Sequence, residues 1–173
     1  MTYLPIKPVV LPNDLNNQPN GKIDSELLVR VAGGSSLHHL AARAWNALVN
    51  EASKHDLPLT YTYGGLFRTY DQQERLFLRR YTSHELPGRP TKRWLGTTYW
   101  LKPGMAGAAV PGTSNHGLGL AIDTASGSHP REAKAIGAHP QFNWLVNEVG
   151  RFDFSYEDQS ENSTLESDVY GSR

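Results

Sequence analysis

A histidine and an aspartate seven residues apart in the middle of the chain have the side chains to bind a metal ion together. His116 follows a turn-forming segment at residues 111–115, and Asp123 ends a run at 117–123 in which aliphatic residues alternate with small ones. A carboxylate in such an apolar setting is costly unless something pairs with it. Imidazole and carboxylate together suit zinc. On spacing alone, an ordinary loop histidine and a turn-capping aspartate are the better explanation of the pair.

The residues around this pair extend the pattern. Ser114, His116, Gly119, Ala121 and Asp123 fit the string Ser-x-His-x-x-Gly-x-Ala-x-Asp position for position. This string resembles the metal motif of the D-alanyl-D-alanine carboxypeptidase group of zinc peptidases, which shares a fold with lysostaphin-type peptidases and the hedgehog signalling domain. The resemblance implies an α+β fold, with a small antiparallel sheet that carries the metal site and is flanked by helices. It also implies that His116 and Asp123 hold zinc and that Ser114 contacts the substrate or orients the site.

A second segment resembles the same group. Thr69 can cap a helix, with Gln72 completing a capping box, so Arg68 stands where an extended segment gives way to that helix. A surface arginine is the ordinary interpretation. The peptidase group, however, carries an aromatic-Arg-Ser/Thr sequence followed by Gln and Leu-Phe. The resemblance implies that Arg68 stabilises charge on the attacked carbonyl, and a fixed guanidinium can aim two donors at an oxyanion.

The resemblance breaks near the C-terminus. The phage-lysin branch has Gln-Ser-Glu-Pro-Trp-His, whereas residues 159–164 read Gln-Ser-Glu-Asn-Ser-Thr. Glu161 therefore stands at the position of the general base, and Thr164 replaces the third metal ligand. Three explanations remain open. The chain is an active enzyme with an altered C-terminus; His129 or His139 replaces the missing ligand; or the domain has lost catalysis and keeps its fold for binding or structure.

Composition limits the classes of function. The 173 residues suit one domain, and 17 basic residues balance 17 acidic ones, which gives no support for nucleic-acid or membrane-surface binding through bulk charge. There is no cysteine, so any metal must be held by histidine and carboxylate. No apolar run reaches membrane-spanning length, and no signal segment opens the chain. We therefore expect either host cytoplasm followed by the cell wall, as for a phage lysin, or the phage virion.

The remaining elements follow from periodicity. Helical spacing predicts a helix from a cap at Ser35 or Ser36 to about residue 54. His38 and His39 fall inside it and, being adjacent, face different directions, so we interpret them as surface or packing residues. Residues 59–67 are predicted to form a strand. The connection at 83–104 is either a functional flap or a loop that its aromatic residues pack down.

The chain is thus predicted to have three parts. Residues 1–34 form an extended N-terminal arm, 35–161 a zinc peptidase-like domain and 162–173 a polar C-terminal tail. The first functional hypothesis is a zinc-dependent peptidase that cleaves a peptide bond in bacterial peptidoglycan stem peptides, as a phage endolysin-like carboxypeptidase or endopeptidase. The alternative is a catalytically impaired domain that binds cell wall or serves as a virion or tail protein, with the C-terminal tail contacting a phage structural partner.

Overall fold

The computed structural model describes residues 11–57, 59–124, 144, 148–152, 154–158 and 165–169. These residues form helices and short antiparallel strands, which confirms the predicted α+β class. The helices are α1 (His39–Ser53) and α2 (Tyr70–Arg80). The strands are β1 (Leu28–Arg30), β2 (Ser36–His38), β3 (Tyr81–Thr82), β4 (Thr91–Trp94), β5 (Thr97–Leu101), β6 (Ala121–Asp123), β7 (Phe154–Asp158) and β8 (Leu165–Val169). None of the helices in the described ranges combines the length and apolar character that crossing a bilayer requires.

The strands form three small antiparallel sheets, with orders β1-β2, β3-β5-β4 and β6-β8-β7. The third sheet carries Asp123, whose Cα pairs with that of Glu166 in β8. Strand β8 lies within the segment 162–173, which was predicted to be a polar C-terminal tail. Its backbone forms a strand because β6 and β7 offer hydrogen-bonding partners on both sides, and a ladder of backbone bonds does not need apolar side chains.

The larger hydrophobic core lies between α1 and the segments around it. Helix α1 buries one face, as its periodicity predicted, through Ala41, Ala42, Trp45, Leu48 and Ala52. The helix nevertheless begins later than predicted. Its N-cap is His38, not Ser35 or Ser36, because residues 36–38 pair with β1 as a strand before the helix starts.

A smaller aromatic core supports the β3-β5-β4 sheet. Phe77 of α2 stacks on Tyr81 with ring centroids 4.6 Å apart and meets the edge of Trp94 at 5.6 Å. The connection at 83–104 is thus largely the hairpin of β4 and β5, and Trp94 is buried beneath it. Of the two interpretations offered by the sequence, packing is the correct one for Trp94.

The predicted strand at 59–67 is wrong as a regular element. Its only ladder contact within the described ranges is a single bridge between Tyr61 and Thr124. Thr62 N–H donates to the carbonyl of Asp123 at 2.8 Å, and Asp123 N–H donates to the carbonyl of Gly65 at 2.7 Å. A turn at Gly64, with φ of +73°, interrupts the pairing that the alternating pattern suggested.

The N-terminal segment connects the two parts of the chain that carry the predicted site. Gly21 N–H donates to the carbonyl of Gly117 at 2.7 Å, and Tyr70 N–H donates to the carbonyl of Gly21 at 2.9 Å. The Asn20 side chain donates to the carbonyl of Ser114 at 2.8 Å. This turn therefore joins the start of α2 to the segment that carries His116.

Replacing Gly21 with alanine is expected to destabilise the protein more than replacing Gly34. Both glycines have positive φ, +78° and +86°, so both substitutions incur the cost of that backbone conformation, about 1 kcal/mol. A Cβ at position 21 would lie 2.4 Å from the backbone nitrogen of Tyr70, whereas one at position 34 would meet no described atom within 4 Å. The overpacking should lower the free energy of unfolding by roughly a further 1–3 kcal/mol. Chemical denaturation measures both values, and equal losses would contradict the close approach at Gly21.

Candidate active site

The fold brings His116 and Asp123 together. His116 lies in a 3-10 helix, Asn115–Leu118, which ends at Gly119 in the left-handed conformation with φ of +69°. A Cβ at Gly119 would lie 2.6 Å from the backbone nitrogen of His38, so only glycine fits this turn. The chain then enters β6, and Asp123 at its end places Oδ1 3.4 Å from Nε2 of His116. The sequence predicted regular alternation over 117–123, but the helical turn replaces its first half.

The pair is buried, and a backbone carbonyl orients the His116 ring. His116 is 1% exposed and Asp123 is 7% exposed. Nδ1 of His116 lies 2.9 Å from the carbonyl oxygen of Leu66. Because a carbonyl only accepts, Nδ1 carries a proton, and Nε2 is the ring nitrogen that faces Asp123. Such a backbone contact commonly orients a metal-ligating histidine.

The donor set fits zinc at two coordination positions. Tetrahedral ligands about 2.0–2.1 Å from zinc lie about 3.3 Å from each other, and the measured separation of Nε2 and Oδ1 is 3.4 Å. Oδ1 of Asp123 is buried and has no hydrogen-bond partner among the described residues. Within the described ranges no third histidine or acidic residue joins the pair.

Arg68 lies against the other oxygen of the same carboxylate. Its Nη2 is 3.6 Å from Oδ2 of Asp123, and it also donates to the carbonyl of Gly64 at 3.2 Å. Nη1 donates to Oε1 of Gln73 at 2.9 Å, while Gln73 in turn donates to the carbonyl of Ala109 at 2.7 Å. The guanidinium is therefore fixed on two sides, as a group that stabilises developing charge must be.

A cavity of about 240 Å³ opens beside this carboxylate. Three cationic side chains line it, those of Arg68, Arg80 and Lys92, together with Ser114 and Asp123. Arg80 donates to the carbonyl of Gly107 at 2.6 Å, and Lys92 donates to that of Ala108 at 2.8 Å. Burial and the repulsion of neighbouring arginines lower the pKa of Arg80 from its ordinary value. An excess of positive charge in a partly enclosed space favours an anionic ligand.

Four of the five predicted site residues converge here. Arg68, Ser114 and Asp123 line the cavity, and His116 contacts Asp123. Ser114 is 6% exposed and is the N-cap of the turn that carries His116. The fifth, Glu161, lies outside the described residues, as do the alternative ligands at positions 129 and 139.

The sequence analysis missed three residues that shape the site. Gln73 lies four residues before buried Phe77, and Arg80 lies three residues after it, so the three share one face of α2. Polar residues within this otherwise apolar stripe were the signal that the sequence offered. Gly65 was also missed. A Cβ there would lie 2.7 Å from Cβ of Asp123, and nothing in its local sequence indicates that approach.

Comparison with known families identifies the chain's relatives. The profile of VanY, D-alanyl-D-alanine carboxypeptidase, matches residues 34–168. The chain belongs to this family. The match begins just before β2 and ends within β8, so it includes the described elements that carry Arg68, His116 and Asp123. A search of curated protein sequences gave no match.

Solved structures share the fold. The LdcB LD-carboxypeptidase, whose structure concerns peptidoglycan recognition, is 20% identical with a TM-score of 0.57, covering 87% of this chain and 71% of its own. A variant of the vancomycin resistance D,D-pentapeptidase VanY in complex with Zn(II) is 19% identical with a TM-score of 0.53, covering 83% and 78%. VanYB in complex with D-alanine-D-alanine is 22% identical with a TM-score of 0.53, covering 83% and 77%.

Replacing Gln73 with alanine is expected to loosen Arg68 and to destabilise the protein. The change leaves the carbonyl of Ala109 and one guanidinium nitrogen without the partner that Gln73 supplies. Losing a buried partner costs about 1–3 kcal/mol. Chemical denaturation measures the loss, with Arg75→Ala on the exposed face of α2 as the control. A Gln73→Ala protein as stable as the control would show that Arg68 is held by other contacts.

Proposed function

We propose that this protein is a zinc-dependent peptidase that hydrolyses a peptide bond in the stem peptides of bacterial peptidoglycan. The observation that carries the proposal is the buried pair of His116 Nε2 and Asp123 Oδ1, 3.4 Å apart beside a positively charged cavity. Family membership supports the same reaction class. A relative of the same fold was solved with Zn(II), and another with D-alanine-D-alanine.

Each residue has a role in this mechanism. His116 and Asp123 would hold the zinc ion, which would supply Lewis-acid polarisation and a lowered pKa of bound water. The carbonyl of Leu66 keeps the His116 ring in the tautomer that can ligate. Arg68 balances the charge of Asp123 from the side opposite His116 and donates to the carbonyl oxygen of the substrate as negative charge develops there.

The general base is assigned to Glu161 from its place in the family motif. A carboxylate at that position takes a proton from the attacking water and later protonates the leaving amine. Glu161→Gln keeps the size of the side chain and removes the base. Thr164 stands where the family's phage-lysin branch has a ligating histidine, so the third ligand in this chain is either absent or supplied by another residue. The endolysin role stays a prediction.

The cavity favours a carboxypeptidase over an endopeptidase. A stem peptide that ends in D-alanine carries a free carboxylate, and Arg80 and Lys92 place positive charge beside the site where that terminus would lie. An internal peptide bond has no terminal carboxylate next to the scissile bond. We therefore propose cleavage of a C-terminal residue.

His116→Ala is expected to abolish zinc binding at this site and to lower kcat/KM by more than about a hundredfold, since even indirect partners of a metal ligand contribute ten- to a hundredfold. The assay is release of D-alanine from a peptide ending in D-alanyl-D-alanine, with metal content measured on the same protein. His84→Ala, an exposed histidine elsewhere, is the control. An inactive wild-type protein that still binds cell wall would instead favour the non-catalytic alternative.

Arg80→Gln is expected to reduce kcat/KM for a peptide with a free C-terminal carboxylate by about tenfold or more, because a hydrogen bond to a charged group contributes about 1.5–3 kcal/mol. The same peptide with an amidated C-terminus should be a poor substrate for both proteins, with little difference between them. Arg79→Gln, the exposed neighbour, serves as the matched control. Equal losses on both peptides would contradict a role in binding the carboxylate.

A further inference from the structure

His38 and His39 converge on Asp14, away from the site described above. Nε2 of His38 is 3.2 Å from Oδ2 of Asp14, and Nε2 of His39 is 2.8 Å from the same oxygen. Because they are adjacent, His38 and His39 were predicted to face different directions. That rule applies within a helix, but His38 ends β2 with φ of −53° and ψ of 142°, and His39 is the first residue of α1. The change of backbone conformation between them brings both rings to one side.

The geometry of this triad suits a transition metal. One ligand atom from each of the three residues lies within 4.8 Å of the others, and tetrahedral zinc ligands lie about 3.3 Å apart. The two rings are tilted by 43°, with centroids 4.3 Å apart, so small rotations direct both Nε2 atoms to one point. Two imidazoles and a carboxylate form a ligand set that zinc accepts, with an open position for water.

Burial prepares His38 to act as a ligand. Its side chain is 0% exposed. Burial lowers the pKa of His38, against the opposing influence of Asp14, so the ring stays neutral near pH 7. Although burial opposes it, the hydrogen bonds from His39 and His38 hold the pKa of Asp14 below its ordinary value. Neutral imidazole and ionised carboxylate are the forms that bind metal.

We propose that Asp14, His38 and His39 form a second metal site, which takes a divalent ion of the zinc type and is separate from the His116–Asp123 pair. The ion fastens the N-terminal segment, through Asp14, to the junction of β2 and α1. The same junction supports the active-site turn, because His38 N–H donates to the carbonyl of Gly119 at 3.0 Å. The site therefore braces the N-terminal segment and the turn after His116. Asp14 and His39 are exposed, which leaves a path for the ion to enter.

Titration of tag-free protein with Zn²⁺ tests the proposal. All variants are made in a His116→Ala background, so that zinc at the catalytic pair does not contribute and the outcome does not depend on the proposed peptidase activity. The parent is expected to bind one Zn²⁺ per chain. Asp14→Asn and His39→Ala should each weaken that binding tenfold or more, while His84→Ala leaves it unchanged. Unaltered affinity in the first two variants would overturn the proposal.

Thermal unfolding provides a second measurement, since a ligand that binds only the folded state raises Tm. With Zn²⁺ at about a hundred times the Kd, the parent should gain about 5 °C or more, and His39→Ala should gain little. His39 is exposed, so the variant is expected to fold. A parent protein with no Zn²⁺-dependent rise would show that the three residues form only a hydrogen-bonded cluster.

Discussion

The carboxylate of Asp123 is the group around which the active site is arranged. It is largely buried, with one oxygen facing His116 and the other facing Arg68. Burying a carboxylate costs several kcal/mol unless opposite charge and hydrogen bonds compensate. Arg68, two residues before α2, supplies the opposite charge, while backbone hydrogen bonds with residues 62 and 65 hold the main chain of Asp123 on both sides. Displacing Arg68 would leave the largely buried Asp123 carboxylate without its opposite charge.

Backbone contacts, more than side chains, keep those segments in register. The carbonyl of Gly21 accepts a hydrogen bond from Tyr70 N–H, and Gly21 N–H donates to the carbonyl of Gly117. One turn of the N-terminal segment therefore links the segments that carry Arg68 and His116. The carbonyl of Leu66 sets the tautomer of His116 from a third direction. Because peptide groups have fixed geometry and no rotamer freedom, such contacts hold a site with little loss of side-chain entropy.

The positively charged cavity lies on one side of the candidate site. Cations from α2 and β4 gather on one side of the Asp123 carboxylate, where their mutual repulsion is offset only in part by that single acid. An anionic group of a substrate would relieve this repulsion. The arrangement supports the proposed cleavage of a C-terminal residue, and it does so with residues outside the metal motif.

The sequence by itself determined the chemical groups and several local structures. The metal motif at 114–123, the capping box of Thr69 and the buried face of α1 follow from residue type and short-range spacing, and the structure contains the last two as predicted. The resemblance to a peptidase family predicted Arg68, Ser114, His116 and Asp123 as site residues, and their roles stay predictions. Spacing along a chain carries this information because caps, motifs and helical faces depend on neighbours within a few residues.

Only the tertiary structure decided what these groups meet. The convergence of Asp14 with His38 and His39, the hydrogen bond from Gln73 to Ala109 and the pairing of β6 with β8 all join residues distant in sequence. The two histidines show the reason. Their separation in the chain is fixed, but the direction of each ring depends on the change from strand to helix between them, which the pairing of β2 with β1 imposes. Pairing with β1 and the hydrogen bond from His38 N–H to the carbonyl of Gly119 set those directions, and the helical spacing of the sequence does not encode them.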